Sequence, residues 1–261
     1  MAELIRCSIE SGVALIEMCN PPANAYSYEM FRALDDAILA ARMDEAVQVI
    51  VLRGAGEKFF CAGADIAMLQ KASPAFKYHF CLHANETLLR LERTPKLVIA
   101  AINGHCVGGG LEVALAADLR VARRSAGKLG LPEVALGVLP GTGGTQRLAR
   151  LLGKARALEL MVRGTTMSVD DAQRIGLVSQ VFDDDRFWDE TMALARSFCA
   201  PEKAARAVGA IKRAVQSGAE IPFESALTLE RELQQRLFES EDAREGIRAY
   251  VEKRPPSFSG R

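Results

Sequence analysis

The chain has 261 residues, 49% of them hydrophobic and 25% charged, an ordinary globular balance with enough length for a sizeable core. Lys plus Arg and Asp plus Glu are equal at 33 each, which excludes a global basic field that would collect nucleic acid or anionic lipid. Six scattered cysteines with no C-x-x-C pair argue against a disulfide framework or a zinc site and for a reducing compartment.

Met1–Arg6 lacks the hydrophobic core of a signal peptide and the Arg/Ser-rich look of a transit peptide, and no apolar run reaches membrane-spanning length. The cytoplasm is therefore the expected location. Leu4–Ile9 and Val13–Met18 read as two short strands joined through Glu10-Ser11-Gly12, a hairpin signal. Pro21-Pro22 breaks the chain, and Ser27 is placed to cap an amphipathic helix running to about Arg42. Val47–Leu52 is rich in β-branched residues and reads as a buried strand. Arg53–Asp65 is expected to be a glycine-bearing loop, Phe76–Arg93 a helix, and Leu97–Ile102, after Pro95, another apolar strand. Three glycines then lead into an alanine-rich helix expected to stop near Asp118, followed by a strand candidate at Leu119–Ala122. Strands alternating with helices predict an α/β architecture.

Residues 129–147 read as mostly loop, punctuated by Pro132, Pro140, Gly141, Gly143 and Gly144, and from Leu148 the pattern turns helical. Pro201 suits the first turn of a helix to about Ser217, Pro222 opens a long amphipathic stretch, and Glu241–Lys253 forms the last helix before Pro255-Pro256. We place a boundary near residue 200, between an α/β core over 1–200 and a helical segment over 201–261. That segment carries eleven Lys and Arg against ten Asp and Glu, so it is no nucleic-acid arm.

Three stretches carry groups suited to chemistry. In Phe59–Ile66 the small residues at 61–64 let backbone approach a ligand, so an N–H here could serve as an oxyanion donor. A strand-to-helix turn with Asp65 as its cap fits the same residues. Gly54-Ala55-Gly56 starts like a dinucleotide fingerprint, but Phe59 stands where the third glycine belongs, and the motif is rejected. In Ile102–Glu112 the bare backbone of Gly108-Gly109-Gly110 precedes a helix start with unpaired N–H donors, and Glu112 is a lone carboxylate among Leu111, Val113, Ala114 and Leu115. Enclosure raises such a carboxyl's pKa and a helix N-terminus lowers it. In Gly130–Arg147, Glu133 sits between apolar neighbours on a proline-stiffened loop, and Thr142–Thr145 lacks the Gly-Lys-Ser/Thr ending of a phosphate loop. Its glycines instead suit a tight approach of loop to helix. His79, His83 and His105 do not group with carboxylates at metal-ligand spacing, and no metal is expected.

Taken together, Asn20–Ala25, Cys61–Ile66, Asn103–Glu112, Leu131–Arg147 and Tyr250–Phe258 make the chain resemble the enoyl-CoA hydratase/isomerase, or crotonase, family over essentially its whole length. The resemblance implies an α/β spiral of ββα units with a C-terminal helical trimerisation segment, hence a homotrimer or homohexamer. It implies an acyl-CoA thioester as the substrate, with no cofactor beyond the coenzyme A that the substrate carries. By position, the backbone N–H groups of Ala64 and Gly109 would form an oxyanion hole, each donor worth on the order of 3 kcal/mol in the transition state. Coenzyme A would be recognised around Ala62, Asp65, Ile66 and Ala67, with help from Ala23 and Ala25, and Phe258 would help shape a neighbouring subunit's acyl pocket. Hydration needs a base for water and an acid for the α-carbon. Glu112 and Glu133 both being present, the resemblance implies an enoyl-CoA hydratase of fatty-acid or related acyl catabolism. A Δ3,Δ2-enoyl-CoA isomerase, or a hydratase for an aromatic or branched acyl group, is the alternative within the family. A non-catalytic RNA-binding member is disfavoured by the charge balance and the retained glutamates. Typical family hydratases have glutamine where Leu131 stands, which leaves the acyl group open, as do residues 67–82.

Overall fold

The computed structural model describes residues 3–260. In chain order the strands are β1 (Ile5–Glu10), β2 (Val13–Met18), β3 (Val49–Gly54), β4 (Phe59–Cys61), β5 (Leu97–Ile102), β6 (His105–Val107), β7 (Leu119–Arg123), β8 (Leu129–Gly130), β9 (Thr166–Met167) and β10 (Gln180–Phe182). The helices are α1 (Tyr28–Met43), α2 (Ile66–Lys71), α3 (Pro74–Glu92), α4 (Gly109–Leu115), α5 (Gly144–Leu152), α6 (Lys154–Arg163), α7 (Val169–Arg174), α8 (Phe187–Arg196), α9 (Ala205–Gly218), α10 (Phe223–Phe238) and α11 (Glu241–Glu252), with a 3-10 turn at Glu133–Leu136.

The expected hairpin forms: β1 and β2 pair antiparallel from Ile5 opposite Met18 to Glu10 opposite Val13, across a two-residue turn whose Ser11 and Gly12 both have positive φ. Six strands then line up as β1-β2-β3-β5-β7-β10, parallel from β2 onward, while β4, β6, β8 and β9 form a second sheet. Three successive segments each give one strand to the larger sheet and the next to the smaller one (β3 and β4, β5 and β6, β7 and β8) before turning into helix. This is the spiral of ββα units that the resemblance implies.

The three middle strands are covered on both faces, which is why they read as apolar runs rather than alternating ones. Their residues still sort by parity. Ile50, Leu52, Ala100, Ile102 and Ala122 join Phe31, Leu34, Leu88 and Leu111 in one core cluster. Val49, Val51, Ile99, Ala101 and Val121 face the other way, against Phe187, Met192 and Ala195 of α8.

Ser27 caps α1 as expected, accepting from Met30 N–H at 3.3 Å, and the helix runs to Met43. Two expectations are corrected. Residues 53–65 are not all loop, because Phe59–Cys61 is a strand, too short to show the period-two pattern that marks longer ones. Pro201 is not in the first turn of its helix, which starts at Ala205; the preceding stretch is held as a turn by Lys203 N–H on the Cys199 carbonyl and Ala200 N–H on Gln48 Oε1. Among the described residues no helix is long and apolar enough to cross a membrane.

Buried polar groups fasten the strand ends nearest the site. Asn103 accepts from Gly54 N–H at 3.1 Å and donates to the carbonyls of Gly54 and Gly56 at 2.9 and 2.7 Å. Asn24 donates to the carbonyls of Ala55 and Phe59, each at 2.9 Å. On the opposite side, Lys212 of α9 meets Asp118 at 2.8 Å with side-chain exposures of only 4% and 10%, and also donates to the Lys96 carbonyl at 2.9 Å. Burial pushes the Lys212 ammonium's pKa down and the Asp118 carboxyl's up, and their mutual attraction opposes both shifts. Lys212→Met leaves Asp118 buried without its cation, so it is expected to lower unfolding stability by about 3–5 kcal/mol. Urea titration checks this; an unchanged midpoint and slope would mean that the pair does not secure α9.

Candidate active site

The triple glycine is the centre of the site, and each of its members is required by a different close approach. At Gly108, with φ 54° and ψ −135°, a Cβ would lie 3.3 Å from Glu133 Oε1. At Gly109 it would fall 1.7 Å from the Tyr26 hydroxyl oxygen, and at Gly110 2.0 Å from the Cys61 carbonyl oxygen. The backbone of α4 thus packs directly on β4, on Tyr26 and beside Glu133. A Cβ at Gly63 would sit 3.0 Å from Gly109 N, so the loop carrying Ala64 touches the start of α4.

Tyr26 N–H donates to the Gly63 carbonyl and Asp65 N–H donates to the Tyr26 carbonyl, each at 2.9 Å. The N–H of Ala64, between those two bonds, finds no acceptor among the described residues, nor does that of Gly109 at the first position of α4. Asp65 is also the cap of α2, accepting from Met68 N–H at 3.0 Å. The loop is thus a strand-to-helix turn capped by Asp65, and it leaves the Ala64 N–H without an internal acceptor among the described residues.

Glu112 is 2% exposed. Its Oε1 accepts from the N–H groups of Thr142 at 2.8 Å and Gly144 at 2.7 Å, and its Oε2 accepts from the Thr142 hydroxyl. The glycines of the 141–144 loop allow this approach, since a Cβ at Gly144 would come within 2.9 Å of Glu112 Oε1. The loop is itself braced: Asn85 donates to the Gly141 carbonyl at 3.4 Å, and Arg147 donates to the Thr142 carbonyl at 3.3 Å while paired with Glu92 at 2.9 Å.

Glu133 is the opposite case. Both its carboxylate oxygens are buried and find no hydrogen-bond partner among the described residues. Its pKa is raised from 4.5 to about 7: burial is the largest cause and the charge of Glu112 adds to it, while its own backbone amide and Lys77 oppose the shift. One carboxylate is thus locked by three donors, and the other stands beside Gly108 able to hold a proton near neutral pH. Two amides without acceptors, a carboxylate held by three donors and a second one that holds a proton near neutral pH are the kinds of group that can polarise a carbonyl and move protons at neighbouring carbons.

Of the other residues singled out in the sequence, the Ala23 carbonyl accepts from Ala62 N–H at 3.0 Å and the Ala25 carbonyl from Asn20 Nδ2 at 2.5 Å. These bonds lay the 20–26 segment alongside the Ala62–Ala64 loop. Ile66, at 61% exposure, and exposed Ala67 open α2 toward solvent beside it. Phe258, expected to serve a neighbouring subunit's pocket, packs within its own chain on α11: its N–H donates to the Pro201 carbonyl at 3.2 Å and its ring lies 3.3 Å from the Cβ position of Gly246. Tyr26 and Thr142 are the polar side chains that sequence reasoning did not single out as parts of the site. Tyr26 follows directly on the Asn24-Ala25 pair, but a tyrosine beside Ser27 and Tyr28 carries no periodic or spacing signal.

A sequence model described as enoyl-CoA hydratase/isomerase matches residues 8–261. The chain is 39% identical over 258 residues to a probable enoyl-CoA hydratase of Bacillus subtilis, covering 98% of each sequence. It is 36% identical over 250 residues to a crotonyl-CoA hydratase of Syntrophomonas wolfei, covering 95% of each. A crystal structure of an enoyl-CoA hydratase from Geobacillus kaustophilus superposes with a TM-score of 0.97 at 45% identity, covering 100% of this chain and 98% of that one.

Proposed function

Since this chain belongs to the enoyl-CoA hydratase/isomerase family, we propose that it adds water to a 2-trans-enoyl-CoA to give a 3-hydroxyacyl-CoA, in acyl catabolism. The observation that carries this reading is the pairing of a locked Glu112 with a Glu133 raised to about 7 beside two amides without acceptors. The thioester oxygen binds the N–H groups of Ala64 and Gly109, which polarises the conjugated double bond. Glu112 orients a water and takes one of its protons while the water oxygen bonds to the β-carbon. The electron pair moves through the α-carbon onto the thioester oxygen, and the two amides hold the resulting enolate. Glu133 then delivers its proton to the α-carbon, so that one water has been added to the substrate, and the proton held by Glu112 returns to Glu133 through solvent to restore the starting state. The segments around Ala23–Ala25 and Ala62–Ala67 carry the coenzyme A portion. Apolar side chains left exposed on the last helices, among them Val215, Phe223 and Tyr250, support assembly into trimers or pairs of trimers.

Loss of the near-ultraviolet absorbance of crotonyl-CoA, with 3-hydroxybutyryl-CoA identified as product, tests the reading. Isomerisation of a 3-enoyl-CoA with no oxygen taken up from labelled water would overturn it in favour of an isomerase. The acid role also fixes a pH dependence. Glu133 must enter protonated, so kcat/KM for hydration is expected to fall to half near the pKa of about 7 and then by about tenfold per pH unit well above it. A rate that rises across pH 7 to 9 would assign the proton delivery to another group.

A further inference from the structure

The reaction as written makes no use of Tyr26, although its side chain is 4% exposed and lies at the centre of the site. Three sets of contacts meet in this one residue. Its main chain brackets Ala64 through the bonds to Gly63 and Asp65, each at 2.9 Å. Its hydroxyl oxygen fills the ground beside Gly109, where a Cβ would lie 1.7 Å away. The Thr142 hydroxyl neighbours the phenol, and the charges of Glu112 and Glu133 are both felt there. Thr142 gives its hydroxyl proton to Glu112 Oε2, so this one side chain neighbours both the phenol and that carboxylate. The ring is fixed from behind by Phe31, edge-on at 4.6 Å, and by Phe80 at 6.0 Å.

We propose that Tyr26 is a positioning residue that joins both oxyanion donors and Glu112 into one rigid unit, setting Ala64 through its backbone, backing Gly109 with its hydroxyl, and orienting the Thr142 hydroxyl that holds Glu112. This rests on the hydration reading above. The phenol itself transfers no proton, since burial, chiefly, and the two carboxylates keep its pKa well above 10. Removing the hydroxyl spares the ring's packing against Phe31 and Phe80, so substrate binding is kept while the reacting groups lose their common register.

Tyr26→Phe is expected to lower kcat for crotonyl-CoA hydration roughly tenfold, about the worth of one neutral hydrogen bond, with KM unchanged within about twofold. Saturating 2,4-hexadienoyl-CoA, whose absorbance moves to longer wavelength as its carbonyl is polarised, should shift less in the variant than in the native enzyme. Thr142→Val should give a similar loss, and the double variant should be no worse than the poorer single one, because both substitutions cut one chain of bonds. Full kcat with a full spectral shift in Tyr26→Phe, a loss confined to KM, or losses that multiply in the double variant would each overturn the proposal. Should Tyr26→Phe fail to fold, a Thr142→Val enzyme with native kcat overturns it equally. If the native protein hydrates no enoyl-CoA, the hydration reading fails by itself, and the spectral shift on binding still decides the role of Tyr26.

Discussion

Glu112→Gln and Glu133→Gln are each expected to lower kcat for crotonyl-CoA hydration by about 10²–10⁴, the usual share of a positioned acid or base. The losses should be chemical rather than structural. At position 112 a glutamine carbonyl can take the place of Oε1 opposite Thr142 N–H and Gly144 N–H, and the Thr142 hydroxyl can rotate to accept from the new amide. At position 133 neither oxygen has a partner to lose among the described residues. Melting curves separate the two explanations. Because the fold raises the Glu133 pKa from 4.5 to about 7, the protonated form is the one the fold favours. Its contribution to stability is complete below pH 4.5 and is lost as the pH rises through about 7. Glu133→Gln should therefore melt no lower than the native protein at pH 8, and compare less favourably at pH 4. If initial rates in both variants stayed within about threefold of native, the two-carboxylate chemistry would be wrong.

Gly109→Ala is expected to lower kcat for hydration by about 10²–10³, the share of one oxyanion donor. The new Cβ would stand 1.7 Å from the Tyr26 hydroxyl oxygen and 2.5 Å from its Cζ. Tyr26 cannot retreat, because its ring is backed by Phe31 and Phe80 and its main chain is bonded to Gly63 and Asp65. The Gly109 amide must move instead, and one oxyanion donor leaves its aim; a single such donor carries about 10²–10³ in kcat. Gly218→Ala is the control, since its Cβ would meet only Ala226 Cβ, at an ordinary 3.5 Å. A Gly109→Ala enzyme with native rates would mean that this amide does not hold the thioester oxygen.

Much of the framework was legible before any coordinates. The hairpin, the Ser27 cap, the strand Leu97–Ile102 and the helix around residues 76–92 follow from turn chemistry, capping and apolar runs, all of them local properties. The short strands of the second sheet were not legible. β4, β6 and β8 span three, three and two residues and exist only because neighbouring turns of the spiral stack them side by side. The start assigned to α9 failed for a related reason: a proline tolerated in a first helical turn is equally tolerated in the turn that the contacts of residues 199–203 impose.

The site divides along the same line. The order of residues along the chain determined which groups are available: two glutamates, a run of bare backbone, and a small-residue loop ending in a helix cap. It also determined family membership, because the family's sequence model matches residues 8–261. What each group does there was decided by the tertiary structure. Glu112 and Glu133 are both carboxylates with apolar sequence neighbours, yet folding gives one three donors and the other none. That difference arises from a loop some thirty residues further along the chain reaching one carboxylate and not the other, and such long-range contacts leave no periodic trace in a sequence. Tyr26 is the clearest instance. Its neighbours in the chain identify nothing, and its place among Ala64, Gly109 and Thr142 exists only once the loop after β4, the start of α4 and the 141–144 loop have closed around it.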